Sequence, residues 1–156
     1  MKNPATFRIR KARTAEADAL SELAVRSKAH WGYDAAFMAR CREALRVDPA
    51  TMRRYPYYVA ERDGALLGFY GLESEADQIG LAFFFVAPEA IGSGLGRALL
   101  EHAKETARVA GYDELIAIAD PNAAAFYEKM GGRPAGATPS EVDPARPLPV
   151  LRFPLA

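Results

Sequence analysis

The chain has 156 residues, of which 50% are hydrophobic and 26% are charged, and its formal net charge at pH 7 is zero. This length suits a single domain over residues 1–156, and the even charge balance argues against a nucleic-acid binder with a basic face. The single cysteine excludes an internal disulfide, and the two histidines lie too far apart in sequence to favour a metal site. The sequence has neither an apolar leader nor an 18-residue apolar segment, so a cytoplasmic protein outside the membrane is expected.

The first half of the chain predicts one strand, two helices and a hairpin. The segment "FRIRKAR" alternates apolar and polar residues as a strand does. The segment "TAEADALSELAVRSKA" begins with a capping pattern and continues with apolar residues at helical spacing. A second, short helix is expected in "DAAFMARCREAL", started by Asp34. Two strands in "YPYYVAERDGALLGFYGLES" flank the favoured hairpin turn Asp63-Gly64.

The second half predicts a buried strand, two further helices and three more strands. "IGLAFFFVA" is apolar on both faces, as in a central strand, and "ELIAIAD" is similar. The helix between them ends at Gly111 and has four apolar residues in register: Leu95, Leu99, Ala103 and Ala110. In "PNAAAFYEKMGG" we expect a helix with Asp120 as cap and Pro121 at its first position. Two strands joined by a proline-rich loop complete the order β-α-α-β-β-β-α-β-α-β-β, an α/β fold with a mixed sheet.

A glycine-rich turn, "VAPEAIGSGLGRALLEHA", precedes the central helix. Glycines there would let an anion approach the unpaired N–H groups of the first helical turn. No lysine stands where a P-loop needs one, and the third glycine of a dinucleotide fingerprint would fall at Arg97 or Leu99. Asp120 still mimics the ribose-binding acid of that fingerprint, so dinucleotide binding remains an alternative. A glycine-rich connection without a ligand is another.

From Val86 to Leu100 the chain resembles the pyrophosphate loop of the GCN5-related N-acetyltransferases, whose motif is [QR]-x-x-G-x-[GA]. Gly94-Leu95-Gly96 matches the second half of this motif, while Ile91 stands where Gln or Arg is usual. The segment "NAAAFYEKMG" resembles the family's N-x-x-[AS]-x-x-[FY]-[YF]-x-x-x-G stretch. The resemblance covers the whole element order and implies a mixed, mostly antiparallel central sheet flanked by helices.

The same resemblance implies acetyl-CoA as the cofactor. The CoA pyrophosphate would lie against the glycine turn, and the pantetheine arm would pair with the strand before it. The cofactor-binding positions that it implies are Phe84, Phe85, Val86, Ile91, Gly92, Ser93, Gly94, Leu95, Gly96, Arg97, Asn122, Phe126, Tyr127 and Lys129. Asn122 could equally be a helix cap.

The activity implied is acetyl transfer to a primary amine by direct attack in a ternary complex. Tyr127 stands where the family often has the tyrosine that protonates the departing thiolate, although it could also be a core residue beside Phe126. The strand before the loop carries no carboxylate, so Glu73 and His30 are the candidate bases. Alternatively the amine loses its proton to bulk water.

The acceptor amine, on a small molecule or a peptide, is expected near "KAHWGYD" between the first two helices. His30, Trp31 and Tyr33 concentrate large amphipathic side chains there, although Trp31 could instead pack under a helix corner. The missing strand carboxylate and Ile91 leave a second function open, a non-catalytic acyl-CoA-binding module or sensor. Exposed edge strands near the C-terminus could pair two copies as a homodimer.

Overall fold

Local capping and turn signals set most element boundaries in the computed structural model, which describes residues 7–155. The strands are β1 (Arg8–Lys11), β2 (Tyr57–Arg62), β3 (Ala65–Glu75), β4 (Gln78–Val86), β5 (Glu114–Ile118), β6 (Arg133–Pro139) and β7 (Pro147–Pro154). The helices are α1 (Ala17–Ala29), α2 (Ala35–Ala44), α3 (Pro49–Arg54), α4 (Leu95–Val109) and α5 (Ala124–Lys129). Short 3-10 turns lie at Thr14–Glu16 and Pro88–Ala90.

Three predicted boundary signals are confirmed by backbone geometry. The Asp34 carboxylate accepts a hydrogen bond of 2.8 Å from the Phe37 N–H and so caps α2. Asp63 and Gly64 have φ values of 53° and 80°, as a two-residue hairpin turn of the mirror-image type requires. Gly111 ends α4 with φ at 98°.

The predicted element order is wrong in one respect, because it lacks α3. This short helix begins with Pro49 at its first position, and the carboxylate of Asp48 accepts from the N–H of Ala50 at 2.9 Å. Asp-Pro is a local start signal that the sequence carries. Ala110 is also misplaced: it lies beyond α4 and is exposed, and Ala107 is the buried residue of the last turn.

The strands form one sheet in the order β1-β2-β3-β4-β5-β7-β6, which confirms the mixed, mostly antiparallel sheet. β1 with β2, β2 with β3, β5 with β7 and β6 with β7 pair antiparallel. β4 and β5 pair in parallel, from Ile79 opposite Leu115 to Leu81 opposite Ala117. A parallel pair needs a crossover connection, and α4 supplies it.

The chain divides into two compact units. One holds the chain up to Gly71 together with Phe83–Leu100, and its core includes Leu20, Leu23, Met52, Val59 and Phe69. The other holds Leu72–Ala82 together with the chain from Glu101 onward, and its core includes Ala103, Leu115, Ala117, Leu151 and Phe153. The face predicted for α1 comprises Ala17, Leu20, Leu23, Ala24 and Ser27; the first four are buried and Ser27 is half-buried.

Within residues 7–155, no helix combines the length and apolar content that crossing a membrane requires. The same residues contain no group of three or more His, Cys, Asp and Glu side chains arranged to hold a metal ion. β6 is an edge strand that contains Pro134 and Pro139, which have no backbone N–H to offer a second copy. The homodimer stays a prediction.

A half-buried arginine, Arg10, joins β1 to the two segments beside it. Arg10 Nη1 and Nη2 donate to the two carboxylate oxygens of Glu16 at 3.0 and 2.7 Å, and Nη2 also reaches Glu61 at 3.1 Å. The Arg10 side chain is only 10% exposed. Its hydrogen bonds hold the pKa of both carboxyls below the ordinary value.

We therefore expect Arg10→Met to lower the free energy of unfolding by about 2 kcal/mol at neutral pH, because the carboxylates lose a charged donor. A depressed carboxyl pKa gives stability above the unfolded value, and that stability is lost as pH falls through the folded value. The difference between wild type and variant should therefore shrink below about pH 4. Urea unfolding at pH 7 and pH 3.5 measures this difference in the free energy of unfolding. The control is Arg42→Met, because the Arg42–Glu22 pair is exposed. An equal loss in both variants would contradict this role of Arg10.

Candidate active site

The turn between β4 and α4 has two glycines in the left-handed region. Gly92 and Gly94 have φ values of 83° and 88°, a conformation that residues with a Cβ adopt at a cost. A Cβ built on either glycine would meet nothing within 4 Å, so the backbone here faces open space. A ligand can therefore approach these two peptide groups directly.

Hydrogen bonds within this turn fix the backbone conformation at the start of α4. Ser93 Oγ donates to the carbonyl of Ala90 at 2.5 Å and accepts from the N–H of Leu95 at 3.3 Å. The first helical ladder bond runs from the Ala98 N–H to the Gly94 carbonyl at 3.1 Å, so the N–H groups before Ala98 belong to the first turn. At the positive end of a fifteen-residue helix, these groups form a cradle suited to an anion such as a pyrophosphate.

Gly68 on β3 lies directly against the start of α4 and the end of β4, and the sequence did not predict this contact. A Cβ there would lie 2.9 Å from Leu95 Cδ2 and 3.1 Å from the Phe85 carbonyl oxygen. The carbonyl of the neighbouring Leu67 also accepts from the Ala87 N–H at 2.8 Å. A residue larger than glycine at position 68 would therefore push the Leu95 side chain aside and shift the β4 backbone near Phe85. A contact over this sequence separation leaves no local pattern that could have predicted it.

The apolar strand β4 is less buried than its composition predicted. Ile79 is buried, but Phe83, Phe84, Phe85 and Val86 are all partly exposed. Phe83 and Phe85 pack on Phe69, with ring centroids 5.8 and 6.0 Å away. A strand of this composition that still presents apolar surface beside the glycine turn could receive an extended, partly apolar ligand. Ile91, where an arginine or glutamine was the usual residue, is 50% exposed.

Tyr127 lies in α5 with its side chain inside the core. It is 6% exposed, and its ring meets the ring of Phe153 edge-on at a centroid distance of 6.0 Å. Burial, and secondarily the charge of Asp120, raise the pKa of Tyr127 above its ordinary value of 10. The backbone of Tyr127 is held by Gly132, whose N–H donates to the Tyr127 carbonyl at 2.9 Å. A Cβ on Gly132 would lie only 2.8 Å from the same oxygen.

The segment before α5 differs from the predicted helix start. Residues 121–123 form a turn, and the N-cap is Ala123, so Asp120 is not the cap and Pro121 is not the first helical residue. Asp120 Oδ1 instead accepts from the backbone N–H and the side-chain amide of Asn122, at 2.9 and 3.0 Å. Asn122 is therefore not a helix cap either. The physical reason is that an Asx turn competes with the first helical turn for the same N–H group.

The other residues of this segment differ in exposure. Phe126 is partly exposed and lies 5.6 Å from the Tyr127 ring, and Lys129 is exposed at the end of α5. The candidate base Glu73 is half-buried near the end of β3. On β4, Ala82 and Phe83 occupy positions where a carboxylate could have ordered a water.

The predicted acceptor residues lie between α1 and α2, as the pattern indicated. His30 and Trp31 meet edge-on with ring centroids 5.9 Å apart, and Trp31 is 46% exposed, so it is not packed under a helix corner. Tyr33 packs toward Phe37 at 4.7 Å, and Lys28 Nζ lies 5.2 Å from the centre of the Tyr33 ring. The loop therefore presents an exposed indole and imidazole, and Lys28 lies over the neighbouring Tyr33 ring.

Comparison with known proteins matches residues 53–131, about half of the chain, to the family model described as an acetyltransferase (GNAT) domain. A curated relative from Pseudomonas phage PaMx11, the 5-NmdU N-acetyltransferase, is 37% identical over 81 residues, which is 51% of this chain and 58% of that protein. The matched segment thus covers little more than half of this relative's length.

Two solved structures have the same fold. A GCN5-related N-acetyltransferase from Rhodopseudomonas palustris superposes with a TM-score of 0.80 at 20% identity, covering 99% of both chains. The PaiA N-acetyltransferase from Thermoplasma acidophilum, solved in complex with coenzyme A, gives a TM-score of 0.76 at 19% identity and covers 95% of this chain and 98% of that one. At these identities the likeness concerns the fold.

Proposed function

The chain belongs to the GNAT acetyltransferase family, and from this premise we propose that it transfers an acetyl group from acetyl-CoA to a primary amine of a small molecule or peptide. The family uses acetyl-CoA and acts on amine substrates. The observation that carries the proposal is the glycine cradle: Gly92 and Gly94 at positive φ, open space before them and the first turn of α4 behind them. Backbone N–H groups in this arrangement suit a pyrophosphate.

The proposed binding mode uses the backbone more than side chains. The N–H groups of Gly92, Gly94, Gly96 and Arg97 are proposed to hold the pyrophosphate, since those of Ser93 and Leu95 donate to the Ala90 carbonyl and Ser93 Oγ. The exposed side chain of Arg97 lies on the same first turn. The pantetheine arm pairs with β4 at Phe84 and Val86, as an added strand would. Partial exposure of Phe85 and its neighbours supports an apolar contact there. Asn122, Phe126 and Lys129 are proposed as further cofactor contacts.

Tyr127 is proposed as the proton donor. Acetyl-CoA supplies the activated acetyl thioester, the neutral amine attacks directly, and the Tyr127 hydroxyl gives its proton to the departing sulfur. Burial raises the pKa of Tyr127, so the phenol stays protonated at neutral pH but is a weaker acid than a free phenol. The support for this role is therefore the position of Tyr127 in the segment that resembles the family motif. The surplus proton of the amine goes to Glu73, His30 or water.

The acceptor is proposed to contact His30, Trp31 and Tyr33. An indole that is 46% exposed in a loop supports this, because large amphipathic side chains left accessible are typical of binding sites. The relative from the phage acts, by its name, on 5-NmdU. That compound therefore belongs in the first set of amines tried with this chain.

The test is acetyl-CoA-dependent release of free CoA thiol with spermidine, tyramine, an alanyl peptide and 5-NmdU as acceptors. We expect acceptor-dependent release with at least one of them, and a higher KM for that acceptor in Trp31→Ala. CoA binding without release from any acceptor would favour the second candidate, a non-catalytic acyl-CoA-binding module. The absence of a basic or amide side chain at Ile91 is the observation that supports this second candidate.

A further inference from the structure

An ion pair links the β6–β7 loop to the turn that leads into α5. Arg146 Nη2 lies 3.3 Å from Asp120 Oδ2, and the two side chains are only 19% and 15% exposed. We propose that this Arg146–Asp120 pair is a positioning pair, which holds the α5 segment so that Tyr127 can deliver its proton. The proposal rests on the proposed function of Tyr127.

On the Asp120 side, hydrogen bonds lead stepwise to Tyr127. The carboxylate of Asp120 accepts twice from Asn122, and its carbonyl accepts from the Ala123 N–H at 2.8 Å. The Ala123 carbonyl in turn accepts from the Tyr127 N–H at 3.2 Å. A shift of Asp120 is therefore transmitted to the backbone of Tyr127 through two consecutive hydrogen bonds.

On the Arg146 side, the loop of residues 140–146 is closed by its own hydrogen bonds. Ser140 is buried, and its hydroxyl accepts from the N–H groups of Val142 and Asp143 at 3.2 and 3.4 Å. The Ser140 N–H donates to the Arg146 carbonyl at 3.0 Å, and the Arg146 N–H donates to the Asp143 carbonyl at 2.9 Å. Arg146 therefore belongs to a loop whose conformation is fixed by its own hydrogen bonds, and its guanidinium holds the Asp120 carboxylate in place.

The charges near Tyr127 make the pair more than a surface contact. Asp120 follows β5, Arg146 neutralises it from the loop, and Lys104 of α4 lies 5.6 Å from the ring centre of Phe153, on which Tyr127 packs. Without Arg146, a mostly buried carboxylate would lack its cation and draw in water or move outward. Either response displaces the turn that precedes α5.

The first experiment compares Arg146→Met, Arg146→Lys and Asp120→Asn with wild type in steady-state kinetics, using acetyl-CoA and the amine that gives turnover in the acceptor panel. We expect kcat to fall about tenfold in Arg146→Met, with partial recovery in Arg146→Lys. The Kd for CoA should rise by a smaller factor than kcat falls, because Asn122 and Phe126 of the displaced segment are proposed cofactor contacts. The double variant Arg146→Met with Asp120→Asn should lose less than the product of the single losses, because the two residues act as one unit.

The matched control is Arg152→Met. Arg152 on β7 pairs with Glu114 at the start of β5, whereas Asp120 follows the end of β5 and Arg146 precedes β7. Its loss should leave kcat unchanged. Equal losses of kcat in Arg152→Met and Arg146→Met would overturn the proposal, because the effect would then be one of general stability.

A second readout needs no acceptor. Hydrogen–deuterium exchange of Arg146→Met should be faster in residues 120–130 as well as in 140–146, and unchanged in β1 and β2. Faster exchange confined to 140–146 would overturn the link to Tyr127. If Tyr127→Phe lowers kcat while Arg146→Met does not, the positioning proposal fails and the acetyltransferase proposal stands; absence of turnover with every acceptor is a failure of the latter.

Discussion

CoA binding should be weakened at least about 100-fold when Gly94 is replaced by Trp, a loss of about 3 kcal/mol or more. Gly94 has φ at 88° and presents its backbone to open space, which is where the pyrophosphate is proposed to lie. An indole at this position fills that space and also blocks access to the N–H groups of the first turn of α4. Isothermal titration with CoA measures the effect.

The control for this variant is Gly64→Trp. Gly64 also has a positive φ, 80°, and open space around its Cβ position, but it lies in the β2–β3 hairpin turn. The two variants share the cost of placing a side chain in the left-handed region, roughly 1–2 kcal/mol. A fold-wide effect would weaken CoA binding equally in both. Wild-type affinity in Gly94→Trp would remove the glycine turn from the binding site.

Turnover should fall about 100-fold or more in Tyr127→Phe, while the Kd for CoA stays within about twofold of wild type. The substitution keeps the ring that packs edge-on against Phe153 and removes only the hydroxyl that is proposed to donate the proton. Tyr112→Phe is the control, a half-buried tyrosine outside the proposed site. An unchanged kcat in Tyr127→Phe would leave Tyr127 as a core residue only.

The pH dependence of stability provides a second measurement on Tyr127→Phe. The folded pKa of Tyr127 lies above its unfolded value near 10, so its contribution is complete below pH 10 and is lost as the pH rises further. Wild type should therefore lose more stability than Tyr127→Phe between pH 9.5 and about pH 11. Parallel stability curves for the two proteins would contradict the burial of this hydroxyl.

Much of the fold could be predicted because its boundaries are local. Asp34 caps α2 with a hydrogen bond to Phe37, and the Asp63-Gly64 turn needs no contact with distant residues. The missed helix α3 also had a local signal in Asp48-Pro49. The start of α5 was predicted wrongly because the Asp120 side chain could serve a helix cap or an Asx turn, and the local sequence is compatible with both. Its second oxygen pairs with Arg146, which lies 26 residues away and leaves no local pattern.

Some residues of the candidate site could likewise be predicted from local sequence, and others could not. The glycine turn before α4 was predictable, because positive φ leaves a direct mark on the sequence. Gly68 was not, since its role depends on the approach of Leu95 and the Phe85 carbonyl from other elements. The partial exposure of Phe84 and Phe85 also depends on what covers β4 in three dimensions, and an apolar run alone predicts burial.

Thermal unfolding with acetyl-CoA, CoA, NAD and ATP in parallel tests directly whether the glycine cradle holds acetyl-CoA. A ligand at 100 times its Kd adds about 2.7 kcal/mol of stability, which raises the Tm of a domain of this size by roughly 5–10 °C. We expect this shift with acetyl-CoA and with CoA, and none of that size with NAD or ATP. A shift in Tm with NAD alone would support dinucleotide binding. The absence of a shift with both acetyl-CoA and CoA would contradict acetyl-CoA binding at the glycine cradle.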